Sequence, residues 1–251
     1  MRNFVVVMAM GLLMGGSQKA FAQGSPDDRV YLNIGFGVES GSTQSADSKQ
    51  YTLYDEPATT NAAASWTSGS LFGGGIDFRV VKNFTVGVSY HQETNTSESI
   101  LTGTVPHPVF FNRSRTFDTK ASGLYRRENA THLSFGWIVP VMNKLDVLVS
   151  GGPSFFRLQQ DVVSDVTIAE RGGTFTEVVV APTVVTQKRS ATGYNVAADV
   201  TYLLWQNDSV RLGAGGFIRY TSAKSNVRLL VSDIDTTIGG IQFGFGARIR
   251  F

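Results

Sequence analysis

The sequence predicts an all-β fold, an eight-stranded antiparallel up-and-down transmembrane β-barrel. Three observations carry that expectation. Eight segments alternate strictly between apolar positions and polar or glycine positions, the period of a strand with two unlike faces. Each is roughly ten residues long, the length a tilted strand needs to cross a bilayer. The connectors alternate short and long, as in a barrel with turns at one rim and loops at the other.

The segments run as follows. In Arg29–Glu39, Val30, Leu32, Ile34, Phe36 and Val38 alternate with Tyr31, Asn33, Gly35, Gly37 and Glu39. In Leu71–Val80, Phe72, Gly74, Ile76, Phe78 and Val80 oppose Gly73, Gly75, Asp77 and Arg79. The third pairs Phe84, Val86, Val88 and Tyr90 against Thr85, Gly87, Ser89 and His91, and the fourth Leu133, Phe135, Trp137 and Val139 against His132, Ser134, Gly136 and Ile138. The fifth begins with Leu145, Val147 and Val149 against Asp146, Leu148 and Ser150. It loses register near Gly151-Gly152-Pro153, where a bulge is expected. The sixth sets Tyr194, Val196, Ala198, Val200 and Tyr202 against Asn195, Ala197, Asp199 and Thr201. The seventh sets Val210, Leu212, Ala214, Gly216, Ile218 and Tyr220 against Arg211, Gly213, Gly215, Phe217 and Arg219. The last sets Ile241, Phe243, Phe245, Ala247, Ile249 and Phe251 against Gln242, Gly244, Gly246, Arg248 and Arg250.

Short connectors fall around Val81–Asn83, Val141–Lys144 and Gln206–Ser209. Long polar ones cover about 40–70, 92–130, 160–190 and 222–237 and are read as loops. The third carries β-like sequence, Thr174–Val185. It is expected to continue strands five and six as a ribbon with Arg171-Gly172-Gly173 near the tip; ten strands is the alternative.

The N-terminus reads as a secretory signal peptide, residues 1–22. Arg2 supplies the positive region, Phe4 to about Met14 the apolar stretch, and Ala20-Phe21-Ala22 the small-residue cleavage pattern. The apolar run is too short for a membrane helix. Residues 23–251 are then one barrel domain. Removing Arg2 and Lys19 takes the 22 basic residues of the chain to 20, equal to its 20 acidic ones. No nucleic-acid partner is expected from a neutral mature chain. With no cysteine and three histidines, neither disulfides nor a cysteine-ligated metal is available, and no cofactor is expected.

A soluble barrel alternates too, with its apolar face inward. Here the polar face carries Glu39, Asp77, Arg79, Asp146, Asp199, Arg211, Arg219, Arg248 and Arg250. The apolar face is nearly continuous, with Phe78, Phe84, Tyr90, Trp137, Tyr202, Tyr220 and Phe251 near segment ends, as in interfacial girdles. An arginine facing lipid costs about 2–4 kcal/mol at mid-bilayer. The charged face is therefore assigned to the lumen as a paired polar network that includes His132. An eight-stranded barrel is just wide enough for side chains to fill it, so a plugged interior is expected.

The signal peptide, the eight amphipathic strands and the terminal strand Gly240–Phe251 resemble the small outer-membrane barrels of the OmpA/OmpX type. The resemblance covers nearly all of 28–251. The chain stops at Phe251, without the peptidoglycan-binding domain of OmpA. Phe243, Phe245, Ile249 and Phe251 look like the β-signal read by the outer-membrane assembly machinery. The resemblance thus implies the outer membrane as location, its lipid and lipopolysaccharide as surroundings, that machinery as a transient partner, and a monomer. It does not choose an activity, because the fold hosts structural proteins, adhesins, channels and enzymes.

The function expected is a non-enzymatic structural or surface-interaction role through long extracellular loops. A narrow small-solute channel is the alternative. A third reading comes from His132-x-Ser134 with Asp146 downstream, similar to the lipid A deacylases. Phe135 stands where that family has Asn, the pair falls on the lumen face, and Asp146 is expected opposite Val139, roughly 20 Å along the strand from His132. His107, with Phe110, Phe111, Arg113 and Arg115, is read as part of a solvated loop, with lipopolysaccharide phosphate as the functional reading. Gly73-Gly74-Gly75 lacks the Lys-Ser/Thr of a phosphate loop and is read as close packing in a narrow barrel.

Overall fold

A computed structural model describes residues 28–207 and 209–251; the expected signal peptide lies outside them. Every regular element among the described residues is a strand: β1 Val30–Ser40, β2 Thr43–Leu53, β3 Glu56–Trp66, β4 Gly69–Val81, β5 Phe84–Pro106, β6 Ser114–Met142, β7 Leu145–Glu170, β8 Val178–Gln206, β9 Arg211–Leu229, β10 Ser232–Ile238 and β11 Ile241–Arg250. Eight of them close a ring in the order β1-β4-β5-β6-β7-β8-β9-β11, each antiparallel to its neighbours. Closure is made by β1 on β11, from Tyr31 opposite Arg250 to Ser40 opposite Ile241. Each alternating segment lies in one ring strand, and the ring has eight members rather than ten.

The long connectors depart from the sequence reading. They are strands rather than loops. β2 and β3 form a hairpin, and β3 then pairs with β5 from Thr59–Thr104 to Ala64–Ser99. β5 and β6 stay paired up to Pro106 opposite Ser114, and β7 and β8 up to Glu170 opposite Val178, so residues 171–177 form the expected ribbon tip. β10 folds back on β9. At about 3.3 Å per residue, the 29 residues of β6 run on the order of 95 Å, against roughly ten residues for a crossing.

At the ribbon end β2, β3 and β10 take the places that β1, β4 and β11 hold at the turn end. Asp47 on β2 joins the free edges by accepting from Val231 N at 3.0 Å and Ser232 N at 2.9 Å, ahead of β10 and at its start. Thr43 Oγ1 donates to Thr237 O at 3.3 Å. The result is a second enclosure stacked on the first.

The two enclosures have opposite polarity. Around the lower ring, Phe36, Phe72, Phe135, Trp137, Tyr202 and Phe245 point outward and are exposed, while charged groups fill the inside. In the upper enclosure the inside is apolar. Trp66, Leu101, Leu124, Phe156, Leu158 and Val163 belong to one buried cluster, and polar side chains face out. The segments of the upper half read as polar because a strand in water shows its polar face. One bulge also hid the pattern. Between Ser97 and Ser99, β6 carries an extra residue beside Gly123, whose φ is 74°. Inward residues on β6 are even-numbered from Ile138 to Leu124 and odd-numbered from Ala121 to Arg115.

The bulge expected at Gly151–Pro153 is absent. Gly151, Gly152 and Pro153 pair in sequence with Val196, Asn195 and Tyr194. Irregularities fall instead at Arg79/Val81, Pro140/Met142 and Leu203/Trp205 next to the short turns, and at Ser97/Ser99 and Val163/Asp165 in the upper half. The shift at Pro140 sets Asp146 opposite Pro140, not Val139.

Candidate functional site

Strand alternation sends every second side chain into the lower ring, and those side chains stack in storeys. Lowest, beside the short turns, Arg250 on β11 donates through Nη2 to Asp146 Oδ1 on β7 at 2.6 Å, and its Nη1 contacts the second carboxylate oxygen. Arg211 Nη1 meets Asp28 Oδ2 at 3.0 Å. Arg79 on β4 donates to the Tyr31 hydroxyl and lies over its ring, 5.3 Å from the centroid. One storey higher Arg248 grips Asp199, with Nη2 2.5 Å from Oδ2 and Nε 3.0 Å from Oδ1. Asp77 sits beside Asp199, Arg219 and Arg248 and shares their field.

The third storey holds the histidines. Arg219 Nη1 lies 2.6 Å from His91 Nδ1, and a guanidinium has no lone pair, so the imidazole nitrogen accepts. The His91 and His132 rings touch at a tilt of 53°, with centroids 5.3 Å apart. His132 is fully buried, with Nδ1 2.7 Å from Ser154 Oγ. Asn195 Nδ2 donates to the same hydroxyl at 3.0 Å. Large inward groups need gaps on facing strands. A Cβ at Gly244 would press on the Phe217 ring, and one at Gly73 or Gly75 would meet His91 or Ser89. That packing accounts for Gly73 and Gly75 in the run, while a Cβ at Gly74, on the other face, would meet the Asn33 carbonyl of β1.

The highest polar storey lies where the two enclosures meet. Glu39 on β1, Glu93 on β5 and Glu128 on β6 converge there. Arg126 donates from Nε to Glu128 Oε1 at 2.8 Å and from Nη1 to Gln160 Oε1 at 3.1 Å. Above it the apolar cluster of the upper half begins.

All ten lumenal residues picked from sequence thus line the inside of the lower ring, and most meet an oppositely charged or hydrogen-bonding partner there. Glu93, Arg126, Glu128, Ser154, Asn195 and Gln242 belong to the same interior and were not singled out. A signal existed. Glu93 shares the parity of His91, and Glu128 and Arg126 share the parity of His132. The phase simply ran past the assumed strand ends.

The deacylase-like arrangement does not assemble. The hydroxyl on His132 is Ser154, from the neighbouring strand, while Ser134 reaches toward Asn195 at 3.5 Å. Asp146 is held by Arg250 at the far rim. A cavity of about 60 Å³ beside Tyr31, Asp77, His91, Ser134 and Arg219 has room for ordered water and none for a lipid. His107 is likewise no part of a solvated loop. It is buried, and its Nδ1 accepts from Val109 N at 3.1 Å and Phe110 N at 3.2 Å, shaping the β5–β6 tip and leaving Phe110 and Phe111 exposed.

The apolar belt has measurable limits. Tyr90, Phe155, Tyr194 and Tyr220 form its upper edge and Phe78, Trp137, Tyr202 and Phe251 its lower edge, all exposed. Tyr194 and Tyr202 are eight positions apart on β8, about 26 Å along the strand, which at a barrel tilt of about 35–45° spans roughly 19–22 Å of height between their backbones, within the ~25 Å band of a membrane barrel. Phe243 and Phe245 face outward within the belt, and Phe251 at its lower edge.

No protein-family model matches the chain, and no curated protein matches it. Among solved structures it is similar to the outer membrane protein OprG from Pseudomonas aeruginosa, at 11% identity over 89% of this chain and 96% of that one, with a TM-score of 0.42. It is similar to the outer membrane protease OmpT from Escherichia coli at 10% identity over 90% and 95%, TM-score 0.41. Neisserial surface protein A matches at 12% identity over 88% and 97%, TM-score 0.34. By its own closure, belt and charged interior, the chain is a small β-barrel of the outer-membrane type.

Proposed function

We propose that this chain is an integral outer-membrane protein with a non-enzymatic structural or surface-interaction role, its ribbon end facing outside the cell. The observation that carries the reading is the reversal of polarity along the barrel axis. Phe72, Phe135 and Phe245 need hydrocarbon around the lower ring, while Leu101, Leu124 and Leu158 need a water-facing shell around the upper one. Such a molecule is stable only across a membrane boundary.

The upper enclosure supplies a rigid platform in place of mobile loops. Its edges are tied by Lys49–Asp165 at 2.7 Å and Arg115–Glu170 at 2.6 Å. The tip of β5–β6 presents Val109, Phe110 and Phe111 to the outside, and such an exposed apolar group marks a contact surface. Just above the upper aromatic edge, exposed Arg157, Lys188, Arg189 and Lys224 stand at the height of lipid headgroups and favour lipopolysaccharide phosphate as their neighbour.

The test has two arms. The folded protein in detergent should migrate differently on gels before and after boiling. In intact cells, added protease should cut at the tips 107–113 and 171–177. A protein that stays in solution without detergent, or tips cut only after lysis, would overturn the reading.

A further inference from the structure

Glu39, Glu93 and Glu128 come from three strands, and each is 5–7% exposed. One carboxylate oxygen of each lies within 4.8 Å of the others. That spacing has a geometric meaning. Two oxygens each about 2.4 Å from one calcium-sized ion are at most about 4.8 Å apart, so the spacing meets the condition for one shared ion.

The charge in this storey is unbalanced. Arg126 is committed to Glu128, Gln160 and, through Nη2, Thr237 O at 2.9 Å. Among the described residues, no salt bridge reaches Glu39 or Glu93. A buried carboxylate without a cationic partner either takes up a proton or binds a metal.

Gln242 on β11 supplies an independent sign. It is 2% exposed, and its Nε2 donates to Glu39 Oε2 at 2.7 Å. Its Oε1 is buried and has no donor. The two ends of a carboxamide are about 2.3 Å apart, so this oxygen lies within about 5 Å of the Glu39 carboxylate. A buried carbonyl oxygen without a donor is what a hard cation takes as a ligand. Gly69 leaves the space for Glu93, since a Cβ there would sit inside the Glu93 carboxylate.

We propose that Glu39, Glu93, Glu128 and the carbonyl oxygen of Gln242 bind one hard divalent cation, calcium by preference, at the junction of the two enclosures. Three carboxylates and an amide oxygen form an all-oxygen set that water completes to the six to eight ligands calcium takes. The ion links β1 and β11 on one side of the lumen to β5 and β6 on the other. It thereby fastens the upper enclosure onto the membrane ring.

The full chain, folded in lipopolysaccharide-free detergent and stripped with a chelator, is titrated with calcium, magnesium and zinc by calorimetry, and its unfolding midpoint is read with each ion. About one calcium per chain is expected, with a higher midpoint in calcium than in chelator and weaker binding of magnesium, which sheds its water reluctantly. Glu93→Gln should weaken calcium binding at least about tenfold. Glu98→Gln on the outer surface should leave it unchanged. If Glu93→Gln does not fold, the wild-type comparison still decides. Equal midpoints in calcium and chelator with no retained metal overturn the proposal, as do equal losses in both variants or a preference for zinc.

Discussion

Asp199 on β8 and Arg248 on β11 grip each other across β9, through two bonds of 2.5 and 3.0 Å inside the barrel. Neither is near the other in sequence, and each is an inward residue of a strand whose other face is apolar. The pair is largely shut off from bulk water, so losing one partner leaves a charge that cannot be solvated. Asp199→Ala should lower stability by about 3 kcal/mol or more, and Asp199→Ala with Arg248→Leu by less than the two single changes together. Denaturant unfolding of the folded barrel in detergent measures both, and strict additivity would count against the pairing.

A second prediction concerns conduction. Leu101, Leu124 and Leu158 close the lumen above the charged storeys, each 2% exposed or less. An ion passing this level would have to shed its water among apolar side chains. The wild-type protein should therefore be silent in planar bilayers across a range of voltages. Steady single-channel currents would overturn this view of the plug.

The ribbon clamp carries a pH dependence. Arg115 donates to both Glu170 oxygens, at 2.6 and 2.7 Å, and this holds the Glu170 carboxyl below the usual glutamate range. A carboxyl depressed in the folded state contributes stability that is complete above its unfolded value of about 4.3 and fades as pH falls through the folded value. The clamp should be intact at pH 7 and loosen below about pH 4. Hydrogen exchange around 114–117 and 168–180, corrected for intrinsic rates, should rise in acid. Arg115→Ala should remove most of that pH dependence.

The last strand makes two separable claims. Phe245 faces outward in the belt, 61% exposed, so Phe245→Arg should cost about 2–4 kcal/mol in lipid. Phe251 ends the strand beyond the last ladder pair, where Phe251→Ala removes little packing. If its role is recognition by the assembly machinery, that variant should refold normally in detergent yet accumulate less in cellular outer membranes. A parallel loss in both assays would assign Phe251 a structural role instead.

Replacing Arg157 and Lys224 together by Ala should reduce the lipopolysaccharide retained through mild detergent extraction without changing the heat-dependent gel shift. Retention equal to wild type would show that the basic row above the aromatic edge is only a solvated face.

The ring was legible because the lower strands keep a two-residue period with unlike faces over most of their length, unbroken in Val30–Glu39 and Ile241–Phe251. The upper half was not legible in the same way. Water, not hydrocarbon, surrounds it, so its outward residues are polar and its inward ones apolar, and an average over the segment looks like a loop. The extra residue beside Gly123 then changed the phase on β6 and hid Ala121 and Phe117 from any fixed alternation.

The amino-acid order alone determined which residues face inward in the membrane ring, since a one-residue slip would turn Arg219, Arg248 and Arg250 toward lipid. It could not determine who meets whom across the lumen. Strand alternation sets the side of a residue, whereas the shear of the closed ring sets its height. Height alone brought Ser154 rather than Ser134 to His132, gave Asp146 to Arg250, and gathered Glu39, Glu93 and Glu128 at one level.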